Sequence, residues 1–387
     1  MITVRGQKTH SPFASAPQTP INARPPRGQP TPRPTNPASN RPRRNPTAPR
    51  GTVAVVQPDV LGEPYQQQIL DLGRDDEGPV VATLVQRRAE QPSRKAVLYV
   101  HGFNDYFFQT HVADFHVARG WDFYALDLRK YGRSLRPYQT PNFVRRLDEY
   151  FPELDRAAEI IRTDHDLLFV NAHSTGGLIT PLWAHARRAD GIVDGMFLNS
   201  PFFDLNAAWF MRRPAAAVIS GVGRRRPYRI IPLGLSTVYG DSLHAEHKGE
   251  WTYDKAWKPV ASFPVRAGWL GAIRHAQRQL HAGLAIPVPI LVASSAATFR
   301  GKAWGPGATQ ADAVLNVHDM ARWAPMLGRH VTMVRFEGGL HDLTLSAAPV
   351  REAVFSELDR WLGAFVDVAR PAGTAPTPAG GAPADAG

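Results

Sequence analysis

Leu167-Leu168-Phe169-Val170-Asn171-Ala172-His173-Ser174-Thr175-Gly176-Gly177 is the stretch from which the rest of the sequence is read. Leu167–Ala172 is short and mostly apolar, the pattern of a strand buried on both faces. It runs without a spacer through a tight turn into a helical pattern, Leu178–Arg188. Two positions either side of Ser174 stand small residues, Ala172 and Gly176. Bulkier ones would collide with the neighbouring strand and helix on a turn sharp enough to project the hydroxyl from the sheet. The free N–H groups at the helix start favour negative charge beside that hydroxyl. Strand, small-x-Ser-x-Gly turn and helix together are the setting of a nucleophilic serine. Ala172 stands where a glycine is usual, and a methyl group is nearly as compact.

Outward from this turn, buried-strand patterns recur. Ala96–Val100 ends abruptly at His101-Gly102, and Phe123–Leu126, Met196–Leu198, Ile290–Ala293 and Val331–Phe336 follow. Gln66–Leu72 and Val80–Arg87, joined by the polar Gly73–Gly78 stretch, read as a hairpin. Helix-length segments, Phe107–Arg119, Phe143–Arg162 and Leu178–Arg188, lie between strands. A last helix carries Val350, Val354, Leu358, Trp361, Leu362 and Phe365 on one stripe. Buried strands alternating with helices predict an α/β fold: a mostly parallel eight-stranded sheet, helices on both faces, antiparallel strands at one edge. Residues 202–286 break the rhythm. They hold no clear buried strand but are rich in aromatics and arginine, and so long a gap predicts a helical cap inserted after the sixth strand.

The ends differ in composition. Of 387 residues, the first 51 hold 12 of 35 prolines and nine of 45 Lys/Arg with no acidic residue. Nine of the eleven net positive charges therefore lie in this leader, and the remainder is close to neutral. The basic pI thus describes a tail rather than a nucleic-acid-binding face, and no nucleic-acid partner is expected. Residues 1–51 and 371–387, the latter almost wholly Pro, Ala and Gly, read as disordered. Residues 52–201 and 287–370 form the expected α/β core around the 202–286 cap. The absence of cysteine excludes disulfides, thiolate–metal sites and a cysteine nucleophile. No run is long and apolar enough to span a membrane, and no apolar stretch follows Met1–Arg5, so a cytoplasmic location is expected, with at most peripheral membrane contact.

Four landmarks in order carry a family resemblance over about residues 65–366. They are Val100-His101-Gly102-Phe103, Asp127-Leu128-Arg129-Lys130-Tyr131-Gly132-Arg133-Ser134, the Ser174 turn, and Gly338-Gly339-Leu340-His341-Asp342. Together they resemble the α/β-hydrolases, in the branch of the monoacylglycerol lipases, lysophospholipases and serine aminopeptidases. The resemblance implies a serine hydrolase acting through an acyl-enzyme and needing no cofactor or metal. It places the general base in the loop after the last strand, at His341. Backbone N–H groups of Phe103 and Thr175 would hold the oxyanion. The acid that orients the imidazole is expected between Ile290–Ala293 and His341, giving Asp312 or Asp319. Asp312 is preferred because an apolar anchor follows it in Asp312-Ala313-Val314; Asp204, beyond Met196–Leu198, is a further alternative.

Other residues read more plainly. His101 is a loop-holding residue, Arg129 a partner for a carboxylate, and His173 should point away from its neighbour Ser174. His111, His116, His185, His275 and His281 lie in helical patterns and read as surface or packing residues. In the cap, the tryptophans with Phe202, Phe203 and Phe210 suit either an apolar acyl pocket or a small core of the cap's own, Phe202 and Trp209 being the candidate substrate-binding residues. Arg212, Arg213, Arg224, Arg225, Arg226 and Arg229 form a basic cluster. The substrate expected is a small-molecule carboxylic ester or lipid, such as a monoacylglycerol or lysophospholipid. A peptidase or amidase, or a catalytically silent binder of the same fold, is the alternative.

Overall fold

The computed structural model describes residues 56–205, 223, 225–231, 237–301 and 303–367. The expected disordered ends, and Trp209, Phe210, Arg212, Arg213 and Arg224 of the expected cap, lie outside the described residues.

The strands are β1 (Val56–Pro58), β2 (Gln66–Asp75), β3 (Gly78–Arg87), β4 (Lys95–Val100), β5 (Asp122–Asp127), β6 (Leu167–His173), β7 (Gly195–Asn199), β8 (Ile290–Ser295) and β9 (Val331–Phe336). They form one sheet in the order β1-β2-β3-β5-β4-β6-β7-β8-β9. The pairings β1–β2, β2–β3 and β3–β5 are antiparallel, and all others are parallel. The sheet thus has nine strands rather than the expected eight. The extra strand, β1, is three exposed residues with no apolar pattern to announce it.

Alternation along the central strands serves two cores. Leu98 and Val100 of β4 and Leu168, Val170 and Ala172 of β6 enter one cluster, with Leu154, Leu178 and Trp183. Val97, Tyr99 and Phe169 enter the other, with Val112, Leu358 and Trp361. Each large side chain so buried contributes about 1.5–3 kcal/mol. The first face is covered by α2 (Phe151–Arg162), α3 (Gly176–Ala186) and α5 (Ala267–His281), the second by α1 (Thr110–Val117) and α7 (Ala348–Phe365). Two further helices are short, α4 (Val238–Leu243) and α6 (Val317–Trp323). On α7, Val354, Leu358, Trp361 and Leu362 are buried, but Phe365 is 41% exposed at the helix end, against the expected six-residue stripe. The helix expected over Phe143–Arg162 begins later, because Asn142 is left-handed and Arg146 extended.

β4 lies between β5 and β6, so the chain departs from it in opposite directions and leaves a crevice at the carboxyl ends of β4 and β6. In open α/β sheets such a reversal is where ligands bind. The segment between β7 and β8 carries α4 and α5, so its described part is helical in places.

Buried polar residues tie the strand ends together. Arg133 pairs with Asp127 at 2.9 Å and with Asp59 at 2.6 Å, and all three side chains are buried. Arg129 grips Glu153 through two nitrogens at 2.6 and 3.0 Å, a fork-shaped contact suited to a carboxylate.

Candidate active site

Ser174 follows β6 directly and is held in the left-handed region, φ 51°, a strained conformation for a residue with a side chain. Its N–H donates to Asn199 O at 3.0 Å, and its carbonyl accepts from Phe202 N–H at 3.0 Å. Gly176 must be glycine: a Cβ there would lie 2.5 Å from the carbonyl oxygens of both Val100 and His101. The turn is therefore clamped between β4 and β7, and the position of the serine at the sheet end is a consequence of packing.

His341, in the loop after β9, places Nε2 2.9 Å from Ser174 Oγ and Nδ1 2.9 Å from Asp312 Oδ2. A carboxylate oxygen accepts, so Nδ1 donates to Asp312 and Nε2 faces the Ser174 hydroxyl. Asp312 is fully buried, and its other oxygen accepts the N–H groups of Val314 and Leu315, both at 2.8 Å. These bonds fix the plane of the carboxylate. Asp312 reaches the site although 16 residues separate it from β8, because that loop closes on itself. Asp312 N–H donates to Ala297 O, and Phe299 N–H donates to Asp312 O.

The other two acids lie elsewhere. Asp204 pairs with Arg274 at 3.0 Å and accepts from Trp323 Nε1. Asp319 sits in the first turn of α6, where burial and the nearby Asp204 raise its pKa.

His101 is a fully buried scaffold: Leu128 N–H donates to its Nε2 at 3.0 Å, and its Nδ1 donates to Gly102 O at 2.8 Å. His173 comes closer to the site than its neighbourhood with Ser174 suggested. Its ring lies 4.9 Å from that of His341 while Nδ1 bonds Asn199 O. Burial lowers its pKa, and the ring packs against that of His341. Asp342, also missed by sequence reasoning, accepts from Asn199 Nδ2 at 2.7 Å and from Thr344 Oγ1 at 2.7 Å. Burial works to raise its pKa, but His173 and these donors outweigh it and hold the carboxyl below its ordinary value. Asn199 thereby joins the loop of His341 to the turn of Ser174.

Among the described residues, no acceptor is paired with the backbone N–H of Phe103 or of Thr175. Gly102 lets the first of these approach the serine, since a Cβ there would lie 3.0 Å from Ser174 Cβ.

A cavity of about 460 Å³ opens over Ser174 and His341. Phe202 lines it, and Trp209, the second candidate, lies outside the described residues. Trp269 also lines it, tilted against Phe103 with ring centroids 4.3 Å apart. Leu205, Leu243, Val265 and Leu270 add apolar wall. Trp251 and Trp257 instead pack on a separate small cluster with Tyr106, Phe108 and Tyr253. Lys258 is the cation of the lining, and no Asp or Glu belongs to it among the described residues. Arg225, Arg226 and Arg229 are exposed.

A nine-stranded α/β sheet with a strained serine at its switch point defines the class: an α/β-hydrolase. Residues 91–298 match the family described as "Serine aminopeptidase, S33", more than half the chain, and the protein belongs to that family of hydrolytic enzymes. Asp312 and His341 lie beyond the matched span. No curated protein matches the sequence. Solved structures share the fold at low identity. A soluble variant of monoglyceride lipase from Saccharomyces cerevisiae, in complex with a substrate analog, is 16% identical with a TM-score of 0.55, over 82% of this chain and 99% of that one. Monoacylglycerol lipase from Paleococcus ferrophilus is 18% identical with a TM-score of 0.56, over 73% and 98%. A thermostable carboxyl esterase from Bacillus coagulans, in complex with glycerol, is 14% identical with a TM-score of 0.54, over 78% and 99%.

Among the described residues, no helix is long and apolar enough to cross a membrane.

Proposed function

We propose that the protein hydrolyses carboxylic esters with Ser174 as nucleophile, His341 as general base and Asp312 as the acid that orients it. The observation that carries this reading is the unbroken run of 2.9 Å contacts from Ser174 Oγ through His341 to Asp312. Ser174 Oγ attacks the ester carbonyl carbon as His341 Nε2 takes its proton. Negative charge collecting on the carbonyl oxygen is held by the N–H groups of Phe103 and Thr175. His341 returns the proton to the departing alcohol, leaving an acyl-serine. Water, deprotonated by the same imidazole, then releases the acid. Asp312 stabilises the imidazolium through both halves.

An ester with an apolar acyl chain, such as a monoacylglycerol or lysophospholipid, suits the lining of Phe202, Leu205, Val265, Trp269 and Leu270. An aminopeptidase must hold a substrate ammonium, and the described lining offers a lysine and no carboxylate for that purpose. The lipase and esterase relatives in fold agree with the ester reading. Residues 202–286 act in this reading as a cap, with residues 52–201 and 287–370 as the catalytic core.

Labelling with a fluorophosphonate probe tests the nucleophile. The wild type should label and Ser174→Ala should not; equal labelling of both refutes the assignment. Turnover of p-nitrophenyl esters of graded chain length beside aminoacyl amides tests the substrate class. Faster cleavage of the amides would overturn the ester reading.

A further inference from the structure

The loop that follows β4 is gripped, residue by residue, by a stretch of chain some 150 positions away. Asn104 is left-handed, φ 52°, and its side chain bridges the insertion. Nδ2 donates to Pro259 O at 3.0 Å, and Oδ1 accepts Phe263 N–H at 3.1 Å. Asp105 is buried between two partners: Lys258 Nζ donates to Oδ1 at 2.8 Å, and Gly102 N–H to Oδ2 at 3.4 Å. Lys258 also donates to Asn104 O at 3.4 Å. Tyr106 Oη accepts Asp254 N–H at 2.8 Å. Phe103 itself packs against Trp269.

Resting on the reading of Ser174 as nucleophile, we propose that Asn104, Asp105 and Lys258 are positioning residues. Through them residues 254–263 hold the Phe103 N–H where the oxyanion forms. Two arguments support this over a role in stability alone. A buried ion pair is often no more stabilising than apolar side chains of the same volume, and a left-handed residue with a Cβ is strained. Both costs fall on Asn104, Asp105 and Lys258, gathered around the Phe103 N–H beside Ser174. The transition state also rewards a donor fixed in advance, whereas the bound ester before attack hardly does.

Three variants test it. Asn104→Gly keeps the left-handed backbone accessible and removes both side-chain bonds. The double variant Asp105→Asn with Lys258→Gln removes both charges together and strands neither. Asn104→Asp, which retains the acceptor for Phe263 N–H, serves as partial rescue. The readouts are kcat and KM on a p-nitrophenyl ester, melting temperature, and inhibition by two analogues of one substrate. One is a trifluoromethyl ketone, whose Ser174 adduct carries an oxyanion; the other is an ether lacking the carbonyl.

The first two variants should lose about 10- to 100-fold in kcat with KM nearly unchanged. Affinity for the ketone should fall by the same factor while affinity for the ether stays. Asn104→Asp should recover part of the loss. Wild-type kcat in folded Asn104→Gly, with Ser174→Ala inactive, overturns the positioning role alone. So does parallel loss of kcat, ether binding and melting temperature, the mark of a merely structural contact. Full turnover in Ser174→Ala overturns the nucleophile reading and this proposal with it.

Discussion

The turn that carries Ser174 and the loop that carries Phe103 stand side by side at the ends of β6 and β4, yet they are held by different means. The serine turn is fixed by its own neighbours: Gly176 crowded against β4 carbonyls, Ser174 N–H on Asn199, and α3 beginning at once. The Phe103 loop depends on side chains of residues 254–263, contributed by the segment between β7 and β8. One half of the candidate site is thus held by crowding at the strand ends, which demands small residues at the turn itself, and the other by polar side chains from a distant segment. The first demand leaves a local signature in the sequence. The second leaves almost none.

The comparison is most sharply tested on its local side. Ser174→Ala should lower ester turnover by about 10⁴-fold or more, because no other group replaces the nucleophile. A smaller fall in steady-state kcat would mean that the strained turn is not the seat of the chemistry.

Next in size, Asp312→Asn should cost about 10³- to 10⁴-fold in kcat by stabilising the wrong imidazole tautomer. Asp204→Asn and Asp319→Asn, whose partners lie around α5 and α6, should stay within about threefold. The reverse ranking would move the orienting acid out of its loop.

On the long-range side, Trp269→Ala removes apolar wall supplied by the insertion. It should shift the chain-length optimum of p-nitrophenyl esters and lower kcat/KM for the preferred chain by about tenfold. An unchanged optimum would show that the insertion shapes the oxyanion loop and not the acyl site.

The change with the least effect on turnover concerns the sheet beneath both. His116 is fully buried among Phe115, Trp121, Phe123 and Phe169, with neither ring nitrogen hydrogen-bonded. Burial depresses its pKa to about 3, and nearby Arg119 adds to the effect. A base with a lowered folded pKa takes up its proton more readily when unfolded, so stability falls with pH from about 6.5 down to 3, by about 1.4 kcal/mol per unit. His116→Leu should flatten that slope in denaturant titrations. An unaltered slope would place the acid sensitivity elsewhere.

How far each part was legible follows from the same contrast. The turn at 174, the strands β4 to β9 and the hairpin edge are written in apolar runs and small residues, which short windows reveal. Asp312 was favoured through the valine two positions on, although the structure gives another reason: Val314 N–H and Leu315 N–H both bond the carboxylate. Lys258 and Asp105 are 153 positions apart, and nothing in either neighbourhood points to the other. The Asn104-Asp105 pair after a strand end was the one available hint, since asparagine tolerates the left-handed region. Phe365 continues the stripe but lies at its edge against His330 and Trp361, and Val366 takes the buried position instead. Composition leaves the cap tryptophans equally suited to cavity or core, and cannot separate Trp269, which lines the cavity, from Trp251 and Trp257, which pack on their own small cluster.

The buried guanidinium of Arg133 sets how much of the amino-terminal side can be dispensed with. Its two counter-charges come from Asp127, inside the sheet, and from Asp59, just past the three-residue edge strand. Shortening the chain to residue 56 leaves that arrangement whole, whereas starting it at residue 60 would strand a cation in the interior with half its neutralising charge. A minimal version for crystallisation or directed evolution therefore begins before Asp59, however dispensable the proline- and arginine-rich stretch ahead of it proves.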